Sequence, residues 1–289
     1  MIRLRKQKRE GKDLKEEVLY KKNKIERKEL KSNFLKKSIL RLDYDYLFEE
    51  NMEEIIKNLN PYLNNEGFRM KAKTMAELST NINGDKLIQE EQIIFNKTKQ
   101  EKFPSYISKD QNVILDISRN FTTITVNYKE NKPFEEIMEI FNRIISEIRK
   151  VREGLNLNRI GIRKINLYLL KNIENINNYF EESIFSFNSQ DLKKVLLKQQ
   201  LEVFNYNSYK VNLRSEINQG VITENENKES IAYRVSLDID VYDDVLEKNQ
   251  IDLKTMNQDL FEIYKSNLKV EFLEDLKKEN YKNEELIKL

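Results

Sequence analysis

Residues 158–170, Asn-Arg-Ile-Gly-Ile-Arg-Lys-Ile-Asn-Leu-Tyr-Leu-Leu, form a strongly β-prone run near the middle of the 289-residue chain. Within this run the apolar residues change parity. Ile160 and Ile162 occupy even positions, whereas Ile165 and Leu167 occupy odd ones. Because neighbouring side chains of a strand point to opposite faces, a regular strand would send these two apolar sets to opposite sides of a sheet.

Two explanations of the parity change are open. A β-bulge around Arg163 and Lys164 would return both apolar sets to one core, and Gly161 would then mark a close approach of the backbone. Alternatively, the strand is regular and is buried on both of its faces. The sequence favours neither explanation over the other.

The composition excludes several classes of chemistry. The chain has no Cys, His or Trp, so disulfides, Cys/His zinc sites, thiol nucleophiles and Ser-His-Asp hydrolysis are excluded. The glycine patterns that bind nucleotide phosphates are missing, and we predict no cofactor. Carboxylates, lysines and tyrosines leave acid–base chemistry open, but no catalytic constellation is recognisable, and a non-enzymatic role is favoured.

Charge is unevenly distributed along the chain, although the net charge is only +2. Residues 1–31 contain 13 Lys or Arg against 6 Asp or Glu, whereas residues 234–262 contain 3 against 8. We predict that residues 1–31 form a basic arm, helical over 13–31 or flexible. The candidate binding residues of this arm are Lys6, Lys8, Arg9, Lys21, Lys22 and Arg27.

No apolar run approaches the roughly 20 residues of a membrane-spanning helix. The basic N-terminal stretch is also not followed by the apolar segment of a signal peptide. We therefore predict a cytoplasmic protein.

Periodicity predicts a first α+β half over 32–154. Alternating apolar residues (Leu40, Leu42, Tyr44, Tyr46, Phe48) predict a strand, followed by a helix over 49–59 that Pro61 ends. Further predicted elements are strands over 68–78 and 86–97, a hairpin of 112–117 with 121–128, and a helix over 134–152.

A second half is predicted over 155–289. It begins with the central strand and continues with helical or irregular segments over 175–185 and 190–197. Strands are expected over 199–206, 209–218 and 230–242, with a polar loop over 220–229 and a closing helix over 253–277. Since both halves follow the order strand, helix, antiparallel strands, long helix, we predict an α+β fold of two similar halves, each an antiparallel sheet covered by helices, from an internal duplication.

Two motifs resemble those of a sporadically distributed, uncharacterised bacterial family. The first is Arg159-Ile-Gly-Ile-Arg-Lys-Ile-Asn166, and the second is Leu237-Asp-Ile-Asp240. Lys164 departs from the tyrosine that is usual at this position of the family pattern. The resemblance covers roughly residues 38–276. Patchy distribution implies genes carried on mobile elements, and hence a role in phage–host conflict.

Asp238 and Asp240 share one face of a predicted strand, about 6.5–7 Å apart along it. They are a weak candidate pair for Mg²⁺, with Glu216, Asp243 or Asp244 as further ligands. Two other interpretations compete with a metal site. The aspartates could pair with Arg159 or Arg163 on an adjacent strand, or they could belong to a solvated polar face.

Arg159 and Arg163 flank Gly161 and are candidate binding residues for a phosphate or carboxylate. The same arginines could equally connect the two halves of the chain. Several strands also combine cations with aromatic residues, as RNA-binding sheets do, but acidic residues occupy the same strands.

The leading hypothesis is a non-catalytic interaction protein that binds another protein or a protein–nucleic acid complex. An inhibitor or sensor in phage–host conflict, such as a CRISPR inhibitor, would fit the resemblance. The alternatives are an RNA-binding module that uses the basic arm and a sheet face, and a divalent-metal-dependent phosphodiesterase centred on Asp238 and Asp240. The sequence does not predict an oligomeric state.

Overall fold

The structure is a computed structural model that describes residues 22, 24–75, 78–79, 96–97, 101–128, 134–152, 154–185, 196–224, 228–244, 252–279, 281, 283 and 285–287. The fold is mixed α+β, with a few helices and a large antiparallel sheet of ten strands, nine of which follow one another in a single path. No helix in these ranges combines the length and the apolar character needed to cross a membrane.

The first part of the chain contains β1 (Leu35–Tyr44), α1 (Glu49–Asn65), β2 (Phe68–Met75), β3 (Leu78–Ser79), β4 (Asn96–Lys97), β5 (Glu101–Ser108), β6 (Val113–Ile117), β7 (Phe121–Asn127) and α2 (Phe134–Val151). The second part contains β8 (Leu157–Leu170), β9 (Leu197–Tyr206), β10 (Tyr209–Glu224), β11 (Lys228–Asp243), α3 (Leu253–Ser266), α4 (Val270–Leu276) and β12 (Leu286–Ile287). Short 3₁₀ helices lie at Arg27–Glu29 and Ile173–Asn178.

The described residues form two compact units. The larger unit consists of the described residues up to Leu40, the last residue of β7 with the residue after it, and the described residues from Arg159 onwards. The smaller unit consists of the described residues from Arg41 to Val126 and from Phe134 to Asn158. This division differs from the predicted halves 32–154 and 155–289, because the segment before β1 hydrogen-bonds within the larger unit. Leu167 donates to the carbonyl of Phe34 at 2.9 Å, and Ser32 donates to that of Leu276 at 3.0 Å.

In the smaller unit the strands follow the order β2-β5-β6-β7-β1, with only the last residues of β1 taking part. The predicted hairpin is confirmed as β6-β7, and the helix predicted over 134–152 is confirmed as α2. α1 packs against α2 and β2. The isoleucines and phenylalanines of α2 that the helical period places on one stripe are buried, so the stripe supplies the core of this unit.

Two predictions for the smaller unit are wrong. Pro61 lies inside α1 rather than ending it, since burial of Leu59 and Leu63 on either side supports the helix through the missing backbone donor. The strand predicted to reach Phe48 ends at Tyr44, and the residues beyond it turn away. β5 was not predicted. The strand predicted over 86–97 lies outside the described residues except for β4.

In the larger unit the strands follow the order β1-β8-β11-β10-β9, with β12 beside β8. The register between β8 and β11 is uninterrupted from Ile160↔Asp243 to Leu170↔Tyr233, so the bulge explanation is wrong. From Ile160 onwards the even side chains of β8 are buried and the odd ones are half-buried, as in a regular strand with both faces largely covered. α3 packs on β11.

Three further predictions for the larger unit are corrected. The polar loop predicted over 220–229 is mostly strand, because β10 and β11 pair as far as Glu224↔Lys228. The helix predicted over 253–277 is broken into α3 and α4, since Lys269 donates to the carbonyl of Tyr179 and Glu181 to that of Asn267. Of the helix predicted over 13–31, residues 13–21 and 23 lie outside the described residues and Lys22 is helical, so the prediction is corrected only over 24–31, where the regular structure is a 3₁₀ turn.

Candidate functional site

Two arginine–aspartate pairs connect β8 and β11 on the half-buried face of the larger unit's sheet. Arg163 donates from Nε and Nη2 to the two carboxylate oxygens of Asp238, at 2.8 and 2.5 Å. Arg159 donates from Nη2 to Oδ2 of Asp240 at 2.7 Å. Both pairs run diagonally across the ladder, because Asp240 lies directly opposite Arg163 and Asp238 directly opposite Ile165. The structure thus shows the pairing interpretation of these four residues.

Burial makes the two pairs electrostatically interdependent. Asp238 is 7% exposed. Burial raises the pKa of Asp240 above its ordinary value, and the charges of Arg159 and Arg163 offset only part of this effect. The hydrogen bonds to Asp238 raise the pKa of Arg163. The two guanidinium groups therefore help the carboxylate of Asp240 to remain charged inside the sheet.

Gly161 and Tyr242 complete this cluster. The guanidinium of Arg159 lies over the ring of Tyr242, 4.1 Å from its centroid. A Cβ atom at position 161 would lie 2.9 Å from Cβ of Tyr242 and 3.2 Å from the carbonyl oxygen of Val241. The glycine thus permits the close approach predicted from the sequence, although no bulge is involved. Nε of Arg159 is buried without a hydrogen-bond partner.

The residues proposed as further metal ligands are also engaged elsewhere. Glu216 accepts hydrogen bonds from Gln199 and Arg234, and Asp244 accepts one from Lys210. Within the described ranges, no group of three or more acidic side chains is arranged to hold a metal ion. The geometry on this face is that of a polar cluster whose carboxylates are paired with arginines of the same unit.

Two of the candidate binding residues of the basic arm are described. Lys22 is buried and donates to Oε1 of Glu181 and to the carbonyl of Ser266. Arg27 donates to the carbonyl of Asn257 and lies over the ring of Phe261 at 4.9 Å. Both cations therefore take part in intramolecular contacts of the larger unit. Lys6, Lys8, Arg9 and Lys21 lie outside the described residues.

A cavity of about 120 Å³ lies beside Arg27 in the larger unit. Its wall includes Lys164, whose amine donates to Oδ1 of Asn257 at 2.7 Å, together with Leu260 and Phe261. Through this hydrogen bond Lys164, on β8, is linked to α3.

A cluster of two aromatic residues and two arginines lies on the surface of the smaller unit, and we call it the aromatic–arginine patch (Tyr46, Phe48, Arg119, Arg152). Tyr46 and Phe48 are 48% and 59% exposed, and their ring centroids are 6.2 Å apart in an edge-to-face arrangement. Arg119 lies over Tyr46 at 5.6 Å, and Arg152 lies over Phe48 at 5.8 Å. Arg119 also donates to the hydroxyl of Tyr46, and Arg152 to its carbonyl.

Backbone hydrogen bonds hold the segment that presents the two rings. Asp45 donates to the carbonyl of Asn156 at 3.0 Å, and Leu47 donates to that of Arg119 at 2.7 Å. The side chain of Leu47 is buried, which leaves the residues on either side of it facing outward. Sequence reasoning missed this patch because the alternation from Leu40 to Phe48 resembles a single strand with one buried face.

No protein-family model matches the chain, and no curated protein matches it. The resemblance drawn from the two motifs accordingly stays a prediction. The geometry of the described residues is the basis for a functional proposal.

Proposed function

We propose that the protein is a non-catalytic interaction protein that binds another protein, alone or within a protein–nucleic acid complex, through the aromatic–arginine patch. By extension of the sequence resemblance, the interaction belongs to phage–host conflict and acts by occluding a surface of its target. The patch is the observation that carries the proposal.

The composition of the patch favours a protein partner. Tyrosine and arginine are among the residue types that contribute most to binding energy at protein interfaces, and phenylalanine is enriched there. The two rings are exposed but held by hydrogen bonds and cation–π contacts, so little side-chain entropy would be lost on binding. This preorganisation distinguishes the patch from apolar residues that are exposed singly.

Charge around the patch argues against a nucleic acid as the main ligand. Oε2 of Glu49 lies 3.7 Å from Arg119, and the carboxylate of Asp45 accepts hydrogen bonds from Asn156 and Asn158. These acidic groups offset the two arginines that would contact phosphates. The net charge of the chain is also small, whereas phosphate binding depends on accumulated positive charge.

The test is capture of the partner from the native host by the tagged full-length chain, with and without nuclease. We expect a stoichiometric protein that survives nuclease, and its affinity for the purified chain should fall at least about tenfold in Tyr46→Ala or Phe48→Ala. Met70→Ala is the matched control, because Met70 is a 53% exposed residue of the same unit away from these contacts. An equal loss in all three variants, or no loss in any, would contradict the proposal.

RNA binding by the basic arm is the second candidate, and the same experiment separates it. Recovery of RNA that is lost in high salt, with binding that falls on charge reversal of Lys6, Lys8 and Arg9, would favour the RNA-binding module. Those substitutions leave the structural contacts of Lys22 and Arg27 intact. The cation–π contacts of the patch are compatible with base stacking, which is why this candidate is retained.

We also infer that the two units descend from one duplicated element. In each unit a strand (β1 or β8) is followed by an antiparallel meander whose last strand (β7 or β11) pairs with it, and then by a long helix (α2 or α3). This shared strand order supports the duplication proposed from the sequence.

A further inference from the structure

The outer edge of β9 has the properties of an interface strand. β9 runs for ten residues, and its register with β10 is uninterrupted from Tyr206↔Tyr209 to Leu197↔Asn218. Among the described residues β10 is its single neighbouring strand. Leu197, Leu201 and Val203 are each more than half exposed. The strand contains no proline or bulge that would prevent pairing with another chain.

β2, the outer strand of the smaller unit, differs from β9 in its charged residues. It carries Arg69, Lys71 and Lys73 within eight residues. Closely spaced cations are a common protection of sheet edges, because strands that add to the edge would bring like charges together. β9 carries one lysine, Lys198, close to its N-terminal end. The two edges are therefore not equivalent, and within the part of the chain that the structure describes β9 is the edge better suited to accept a further strand.

The hydrogen-bonding phase of β9 defines which backbone groups point outward. Gln219 donates to the carbonyl of Leu196 at 2.9 Å, which marks these two residues as a hydrogen-bonded pair. Since such pairs alternate along an antiparallel ladder, the even residues of β9 bond to β10. The N–H and C=O groups of the odd residues, from Leu197 to Asn205, consequently point to the outer edge.

We propose that β9 pairs antiparallel with β9 of a second copy of this chain, with Gln200 on the twofold axis. A twofold axis perpendicular to the sheet keeps each side chain on its own face. Because side chains alternate between the two faces, an even residue must pair with an even one, and the axis therefore passes through a residue position and not between two residues. With Gln200 there, Leu197 meets Val203 and Gln199 meets Leu201, all with outward-pointing backbone groups. Lys198 then faces Glu202 of the second copy, twice per dimer.

Charge complementarity selects this register over its neighbours. Moving the axis to Leu201 would place Lys198 opposite Phe204, and no ion pair would form. Moving it to Glu202 would place two glutamates face to face, which is unfavourable. In the proposed register Lys198 and Glu202 also occupy non-hydrogen-bonded positions, where facing side chains approach most closely. The proposal is independent of the aromatic–arginine patch, which belongs to the other unit.

The test is sedimentation equilibrium of the full-length chain, with circular dichroism to verify folding. We expect a reversible dimer, and Lys198→Glu or Glu202→Lys should each weaken it about tenfold by placing like charges opposite one another. The double variant that exchanges the two charges should recover the wild-type dissociation constant. Restoration by exchange is specific to this register, because no other axis position brings these residues together.

A second comparison tests the apolar side of the edge. Val203→Lys should weaken the dimer, whereas Val221→Lys should not, because Val221 on β10 is equally exposed at 64% but lies outside the paired segment. A chain that stays monomeric at all concentrations would overturn the proposal. So would a dimer that is indifferent to the β9 substitutions, or one that the charge exchange does not restore.

Discussion

Individual arginines of this chain have opposite roles, which are decided by what surrounds them. Arg159 and Arg163 donate hydrogen bonds to the largely buried carboxylates of Asp240 and Asp238, and these bonds connect β8 to β11. Arg119 and Arg152 lie over exposed rings and remain at the surface. The residue type is identical, but burial of the partner converts the first pair into structural groups and leaves the second available for recognition.

Replacing Arg163 by Met should destabilise the protein by about 2–3 kcal/mol, because it leaves the carboxylate of Asp238 buried without its bidentate partner. The free energy of unfolding in urea measures this loss. Arg234→Met is the matched control on β11. Its pair with Glu216 is more exposed, and its loss should cost less than about 1 kcal/mol.

Adding Asp238→Asn to the Arg163→Met variant should recover part of the lost stability, since the amide carries no charge that must be compensated. Equal losses of unfolding free energy in Arg163→Met and Arg234→Met would show that the more buried pair does not stabilise the protein more than the exposed one.

Replacing Gly161 by Ala should cost about 1–3 kcal/mol, because the new methyl group would collide with Tyr242 and the backbone of β11. Gly220→Ala is the control, since a Cβ atom there would have no heavy atom within 4 Å. Both positions are in strands, so the difference in unfolding free energy isolates the steric effect from strand propensity. A Gly161→Ala protein as stable as the control would mean that β8 and β11 can separate without cost.

Contacts between elements explain why the C-terminal apolar stripe is not one helix. The segment between α3 and α4 forms backbone hydrogen bonds with the residues that follow the 3₁₀ helix Ile173–Asn178. Lys22 of the N-terminal segment donates a hydrogen bond to Glu181 in the same region. Lys269 lies 3.3 Å from the other oxygen of Glu181. One carboxylate thereby joins three segments that are distant in sequence.

Burial raises the pKa of Glu181, but the hydrogen bond and charge of Lys22 and the charge of Lys269 outweigh it, and the net pKa lies below its ordinary value of 4.5. A carboxyl whose folded pKa is lowered stabilises the fold above its unfolded pKa, and this contribution disappears as the pH falls through the folded pKa. Because solvent screens this partly exposed carboxylate, Glu181→Gln should lose only about 1 kcal/mol of unfolding free energy near neutral pH.

The difference between wild type and Glu181→Gln should shrink as the pH falls below about 4.5. Urea unfolding at a series of pH values measures it. Glu182→Gln, at the exposed neighbouring position, is the control and should behave as wild type. A difference that stays constant across the acidic range would rule out the carboxylate charge as its source.

For the molecule as a whole, the proposed contacts use different parts of the chain. The aromatic–arginine patch belongs to the smaller unit, and the β9 edge belongs to the larger one. The net charge of +2 gives no strong general attraction to polyanions. Specificity in binding must then come from local shape and from particular residues.

Periodicity alone identified the α+β class, the hairpin β6-β7, the buried face of α2 and most strands of the larger unit. These features depend on residues close in sequence, whose alternation or helical spacing is visible directly. The Arg–Asp pairing was one of several interpretations, because the sequence shows two complementary motifs but not their relative register.

Contacts between residues distant in sequence decided four other features. These are the grouping of residues into units, the break between α3 and α4, the continuation of α1 through Pro61, and the exposure of Tyr46 and Phe48. Beyond the end of β1 at Tyr44, Asp45 donates to the carbonyl of Asn156 and Leu47 to that of Arg119, and the segment they hold exposes Tyr46 and Phe48. The helix or strand propensity of a residue contributes only a small free energy, so tertiary contacts and burial override the local preference of the chain. The surface proposed for binding therefore arises where tertiary contacts interrupt a pattern that the sequence would have continued.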